Sequence, residues 1–259
     1  VILAAASATA PPRQLLFGAQ VHAVGLEGAL GWIQDRLRRR RPVYIVTLNG
    51  ALLVQAAHNA EVRGLVNGAG LVTADGIGVL LAARVLGVAL PERVAGIDLA
   101  VALMGVAART GYRVFLLGSA QGVADDTAAE LRRRHPGLRI GGTHHGFFTP
   151  DEEPGVLARI REARPDVLLV ALGAPRQEYW MHRWCAELGV PVSIGVGGSF
   201  DVIAGRIPRA PRWMQRAGLE WLYRVAREPQ RWQVVRTIPP LFWMAAVQRL
   251  RRWRSGPPA

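Results

Sequence analysis

The sequence predicts an α/β fold, a parallel sheet covered by helices on both faces, and three observations carry that expectation. From Gln14 to Ile203, short β-branched runs alternate with amphipathic helical stretches, the order from which parallel strands and their crossover helices are built. Gly118, Gly173 and Gly195 each follow an apolar run and precede a helical pattern, where a parallel sheet places its ligand-binding loops. The chain is also long and apolar enough: 259 residues, 50% hydrophobic and 20% charged, suffice for one large domain or a domain with an appendage. Intrinsic disorder is excluded for most of its length.

Taken in order, residues 1–13 open on a small, apolar stretch without a basic flank, which reads as a frayed terminus and gives no support to a signal peptide. The core is assigned to residues 14–204. Strands are expected near 43–47, 71–73, 114–117, 139–141, 167–172 and 192–196, with helices in most of the gaps. No fixed-period repeat and no low-complexity linker divides this region. The composition shifts near Gly205, where Arg206-Ile207-Pro208-Arg209-Ala210-Pro211 opens a basic helical appendage, residues 205–259.

All 32 basic residues are arginines, and the formal charge is +13. Residues 204–259 hold 12 of those arginines against only Glu220 and Glu228, a net +10, together with five of the eight tryptophans: Trp213, Trp221, Trp232, Trp243 and Trp253. Arginine beside interfacial tryptophan points to an anionic membrane surface. Pro239, Pro240 and Gln248 interrupt the best spanning candidate before the roughly 18 to 20 apolar residues a membrane helix needs. The appendage is therefore expected to lie on a membrane without crossing it.

A single cysteine, Cys185, excludes a disulfide framework and a zinc site built on several thiolates, and fits a buried, inert thiol in a reducing compartment. His144 and His145 are adjacent and poorly placed to share one ion, there is no Asp-X-Asp motif, and Asp151-Glu152-Glu153 precedes a helix whose dipole it suits. No metal and no cofactor are expected.

Four segments carry candidate chemistry. Thr47-Leu48-Asn49-Gly50 ends a strand and begins a helix that Asn49 can cap, with Thr47 and Asn49 at the strand's carboxyl end. Thr73-Ala74-Asp75-Gly76 places an aspartate at a second strand end, suited to a cap, a ribose ligand or a general base. In Leu172-Gly173-Ala174-Pro175-Arg176-Gln177-Glu178, glycine permits a tight turn and Pro175 starts a helix whose exposed N–H groups suit a phosphate; Arg176, Gln177 and Glu178 would lie in its first turn, against the plainer reading of a solvated charged turn. Gly195-Val196-Gly197-Gly198-Ser199-Phe200-Asp201 only partly matches a dinucleotide fingerprint and comes late in the core; Gly118-Ser119-Ala120-Gln121-Gly122 lacks the Gly-Lys-Ser/Thr of a nucleotide-triphosphate loop. In the appendage, Arg224, Arg227 and Arg231 share one face if their helix continues through Pro229, and arginine grips phosphate bidentately.

With these motifs in order, the chain resembles the WecG/TagA/CpsF family of bacterial glycosyltransferases over roughly residues 16–236. The resemblance is carried by Thr47-Leu48-Asn49, Thr73-Ala74-Asp75-Gly76-Ile77-Gly78, Gly173-Ala174-Pro175-Arg176-Gln177-Glu178, Gly197-Gly198-Ser199-Phe200-Asp201, Arg209-Ala210-Pro211 and Gly218-Leu219-Glu220-Trp221-Leu222-Tyr223-Arg224. It implies a Rossmann-like core and inverting, metal-independent transfer of a sugar from a UDP-sugar, N-acetylmannosamine-type or a uronic acid, to an undecaprenyl-diphosphate-linked saccharide. The place implied is the cytoplasmic face of the membrane, with the appendage completing the site there. By the same resemblance Asp75 is the general base, Thr47 and Asn49 position the sugars, Gln177, Gly118, Gly173 and Asp201 hold the UDP-sugar, and Arg93, Arg224 and Arg231 contact phosphates.

Two rival readings are a basic nucleic-acid-binding protein, which the charge alone would favour though no recognition fold is visible, and a nucleotide-dependent oxidoreductase, which rests only on the incomplete glycine loop. The glycosyltransferase reading expects no nucleic-acid partner. A homo-oligomer would explain how the appendage stays closed until it meets lipid, but no sequence feature demands one.

Overall fold

The structure, a computed structural model, describes residues 10–217, 219–227, 236 and 238–254. It opens on a hairpin, β1 (Arg13–Leu16) and β2 (Ala19–His22), followed by α1 (Leu26–Arg39), β3 (Val43–Leu48), α2 (Gly50–His58), α3 (Ala60–Asn67), β4 (Leu71–Ala74), α4 (Ile77–Val85) and α5 (Gly96–Thr110). The second half runs β5 (Arg113–Gly118), α6 (Val123–Arg134), β6 (Arg139–His144), α7 (Glu153–Ala163), β7 (Val167–Ala171), α8 (Arg176–Leu188), β8 (Val192–Gly195) and α9 (Ser199–Ile203). Beyond it lie α10 (Arg212–Arg216), α11 (Glu220–Arg227) and α12 (Ile238–Arg254).

The expected parallel sheet is present, with strand order β4-β3-β8-β7-β5-β6 and every neighbouring pair parallel. Each of the six expected strands is found, with ends that differ by a few residues. Alternation along the strands divides the core into two layers. Val46, Leu48, Leu168 and Val170 face one layer, with residues of α2, α3, α4, α7 and α8. Ile45, Leu169, Ala171 and Ile194 face the other, under α1, α5, α6 and α9. Helices therefore cover both faces, so strands read as nearly continuous apolar runs.

The β1–β2 hairpin lies outside this sheet and was not among the expected strands. It joins the edge strand β4 through the buried His22, whose Nδ1 accepts from the Val72 N–H at 2.9 Å, and burial pushes the His22 pKa down. A sheet edge that would otherwise present unpaired backbone groups is partly covered in this way.

After α9 the chain turns at Gly205, in the left-handed region at φ +76. The segment beyond it is less separate from the core than the composition suggests. In α12, Leu241 and Ala245 are 1% and 0% exposed and belong to the same apolar layer as α2 and α4. Leu241 sits over glycines of both helices: a Cβ at Gly50 or Gly78 would meet its Cδ2 at 3.4 and 3.3 Å. Arg249 fixes the far end by donating to the Val85 carbonyl at 2.9 Å. No helix among the described residues is long and apolar enough to cross a membrane.

Candidate active site

A cleft of about 350 Å³ lies at the carboxyl edge of the sheet. Parallel strands all end there, and the helices that follow them begin there, so strand-end loops and first helical turns form its walls. Asn49 and Ala51 at the start of α2, Gly76 and Ile77 at that of α4, Ala95 and Ile97 at that of α5, Gly173 and Ala174 in the loop before α8 with Gln177 in its first turn, and Gly198 and Ser199 at the start of α9 all line it. The N-terminal ends of five helices thus share one cavity, and each presents backbone N–H groups without an intrahelical acceptor.

Asp75 follows β4 directly and its own N–H donates to the Leu48 carbonyl at 2.9 Å, which fixes it beside the end of β3. The N-cap of α4 is Gly76, so Asp75 stands one position before the cap. Asn49 does cap α2: its Oδ1 accepts from the Leu52 N–H at 3.0 Å. Thr47, 4% exposed, donates to the Gly195 carbonyl at 2.7 Å and ties β3 to the end of β8. The loop that carries Arg93 is held to β4 by Val94 N–H donating to the Ala74 carbonyl at 2.9 Å.

Gln177 and Glu178 are not a solvated turn: they are 2% and 0% exposed, and of the two Gln177 borders the cleft. Gln177 Oε1 accepts from the Gly197 N–H at 3.0 Å, and its Nε2 donates to Glu178 Oε1 at 2.8 Å. Burial raises the Glu178 pKa to about 7. Arg176, exposed, stacks on Phe148 at 5.2 Å and lines a separate hollow with Tyr179 and Trp180. Cys185 is the buried thiol expected, its pKa pushed up to about 11 by burial.

Of the sequence-predicted site residues, Thr47, Asn49, Asp75, Arg93, Gly173 and Gln177 all line the cleft. Gly118 and Asp201 stand outside its lining. Gly118 ends β5 at φ +135, where a Cβ would overlap the Ala171 backbone, and Asp201 accepts from the neighbouring Ser119 hydroxyl at 3.2 Å. Arg224 belongs to α11, but its side chain, like all of Arg231, lies outside the described residues. Among the described residues, no three of His, Cys, Asp and Glu are grouped to hold a metal ion.

The appendage contributes residues that sequence reasoning missed. Trp221 and Val225, four apart on one face of α11, line the cleft, as does Glu220. Glu220 Oε2 meets Arg93 Nη1 at 3.0 Å and its Oε1 meets Arg209 Nε at 3.4 Å. Arg209 also pairs with Asp98 at 2.7 Å, so two core and two appendage charges form one balanced network beside the cavity. Sequence separations of more than 100 residues hide the Arg93–Glu220 and Arg209–Asp98 pairs; the four-residue spacing of Trp221 and Val225 was there to be read.

A parallel α/β sheet with helix N-termini, an aspartate and an arginine gathered at its carboxyl edge is an arrangement suited to a group-transfer enzyme with anionic substrates. The comparison with known proteins is specific. The chain matches the glycosyl transferase WecG/TagA/CpsF family over residues 14–255 and belongs to that family; it is a glycosyltransferase. It is 34% identical over 221 residues to the N-acetylglucosaminyldiphosphoundecaprenol N-acetyl-beta-D-mannosaminyltransferase of Bacillus spizizenii strain W23, covering 85% of this chain and 84% of the relative. A protein of the same name from Bacillus subtilis strain 168 is 35% identical over 195 residues, 75% of each chain.

Proposed function

We propose that the protein transfers a sugar of the N-acetylmannosamine type from a UDP-sugar to a saccharide linked to undecaprenyl diphosphate, with inversion and without a metal. The relatives' names support the acceptor class and the sugar. The observation that carries the mechanism is the shared lining of Asp75 with the N-termini of α2, α4, α5 and α8.

In a single displacement the acceptor hydroxyl attacks the anomeric carbon as its bond to the UDP oxygen breaks. Asp75 takes the proton of the attacking hydroxyl. The leaving diphosphate gains negative charge, which the converging helix N-termini and Arg93 stabilise in place; Arg93 then divides its guanidinium between Glu220 and phosphate. Thr47 and Asn49 frame the reacting sugars, while Gly173 and the turn held by Gln177 support the donor. Gly118 and Asp201 extend the donor site toward the uridine. Trp221 and Val225 of α11 close the cleft, and Arg224 and Arg231, assigned by the resemblance, bind the lipid diphosphate. The exposed Trp213, Leu222, Trp243 and Leu250, set among arginines, suit the surface of a membrane that carries this acceptor.

UDP release by the purified chain from a panel of UDP-sugars, in chelator, with and without a short-chain polyprenyl-diphosphate-GlcNAc, tests this reading. Acceptor-dependent release from one donor is expected. Release from none, together with no UDP binding, overturns it.

A further inference from the structure

The turn at residues 195–198 forms a wall of the cleft, and Gln177 supports it from behind. Gly195 lacks the Cβ that would come within 2.7 Å of Gln177 Nε2, so amide and turn are in direct contact. A glutamine amide has two orientations of nearly equal shape and opposite polarity. In the observed one, Oε1 accepts from Gly197 N–H; turned over, an NH₂ group would face that N–H and leave it without an acceptor. The second contact of the amide, Nε2 to Glu178 Oε1 at 2.8 Å, selects between the two. Glu178 is 0% exposed, and its Oε2 has no hydrogen-bond partner among the described residues. An apolar side chain would fill this position at lower cost, so packing does not account for a carboxyl here. Its bond to Gln177 does.

We propose that Glu178 is a positioning residue: its buried carboxyl fixes the Gln177 amide in one orientation, and through it holds the Gly197 N–H and the 195–198 turn in the geometry that the donor meets. The kinetic part rests on the glycosyl-transfer reading; the positioning part does not.

Two readouts keep those parts apart. Hydrogen exchange at the Gly197 amide needs no substrate. In Glu178→Met, which keeps the length of the unbranched side chain and removes the acceptor, exchange should quicken about tenfold, the factor expected for loss of one hydrogen bond, and in Glu178→Gln it should stay within about twofold of wild type. In turnover, Glu178→Met should raise the donor KM about tenfold with kcat nearly unchanged, Glu178→Gln should restore KM, and Glu178→Met should add nothing in a Gln177→Leu background. Unchanged Gly197 exchange in Glu178→Met overturns the proposal. So does equal impairment of the Met and Gln variants, or a Met effect that persists without Gln177. If Glu178→Met does not fold, the side-chain amide protons of Gln177 in the wild type supply the reading: slow exchange is expected, and the rapid exchange of an exposed amide overturns the proposal. A chain that transfers no sugar but shows the exchange pattern loses the function and keeps the positioning.

Discussion

Asp75 and Gly195 show how single positions divide between chemistry and support. Asp75→Asn keeps the shape of the strand end and removes the base, so UDP binding should persist while transfer falls by about 10² or more; turnover near wild type would remove Asp75 from that role. Gly195→Ala places a methyl within 2.7 Å of Gln177 Nε2 and 2.9 Å of Met181 Cε, and should cost about 1–3 kcal/mol of stability in denaturant titration. Glu178 gives a pH signature. Its carboxyl ionises at the ordinary 4.5 when unfolded and at about 7 when folded, so the folded state holds the proton more tightly. Its contribution is therefore lost as pH rises from 4.5 through about 7 and is level above, on the order of a few kcal/mol. The Tm of wild type should fall relative to that of Glu178→Gln between pH 5 and pH 8; a constant difference would mean that the carboxyl titrates normally. The position of Asp75, Thr47, Asn49, Gly173 and Gln177 at the cleft was legible, because strand ends of a parallel sheet declare themselves in sequence. The burial of Glu178 was not, since a charged residue in a first helical turn reads as solvated unless its packing is known.

At the level of elements, the sheet was the legible part and the hairpin was not. β3, β5 and β7 are buried on both faces, so they stand out as apolar runs. β1 and β2 have four residues each and turn through Phe17 and Gly18 at φ +53 and +81, and phenylalanine at a left-handed position conceals a hairpin that Asn-Gly would announce. The cap of α2 was legible, and Asn49→Ala should cost about 1 kcal/mol through the lost Leu52 N–H bond, measured by denaturant titration. The docking of α12 was hidden, because Leu241 meets glycines of α2 and α4 more than 150 residues away in the chain. Leu241→Ala should loosen that helix by about 2–5 kcal/mol if it stays docked. Limited proteolysis checks this: cleavage within α12 should begin well before cleavage of the sheet.

For the whole molecule, charge and apolar exposure coincide on the appendage, which carries Trp213, Leu222, Trp243 and Leu250 exposed. The chain should bind vesicles rich in anionic phospholipid, release them as salt rises, and bind poorly to neutral phosphatidylcholine. Replacing both Trp213 and Trp243 with alanine should weaken vesicle binding about tenfold while UDP binding is kept, since neither side chain lines the cleft. Equal binding to neutral and anionic vesicles would separate the basic charge from any membrane role. The seat of α12 also bears on how the protein is made. All six strands of the sheet precede Leu241 in the chain by more than 40 residues, so the groove across α2 and α4 stays open to water until α12 emerges from the ribosome. A nascent chain stalled after α9 would show chaperones an apolar trough that the finished protein never presents.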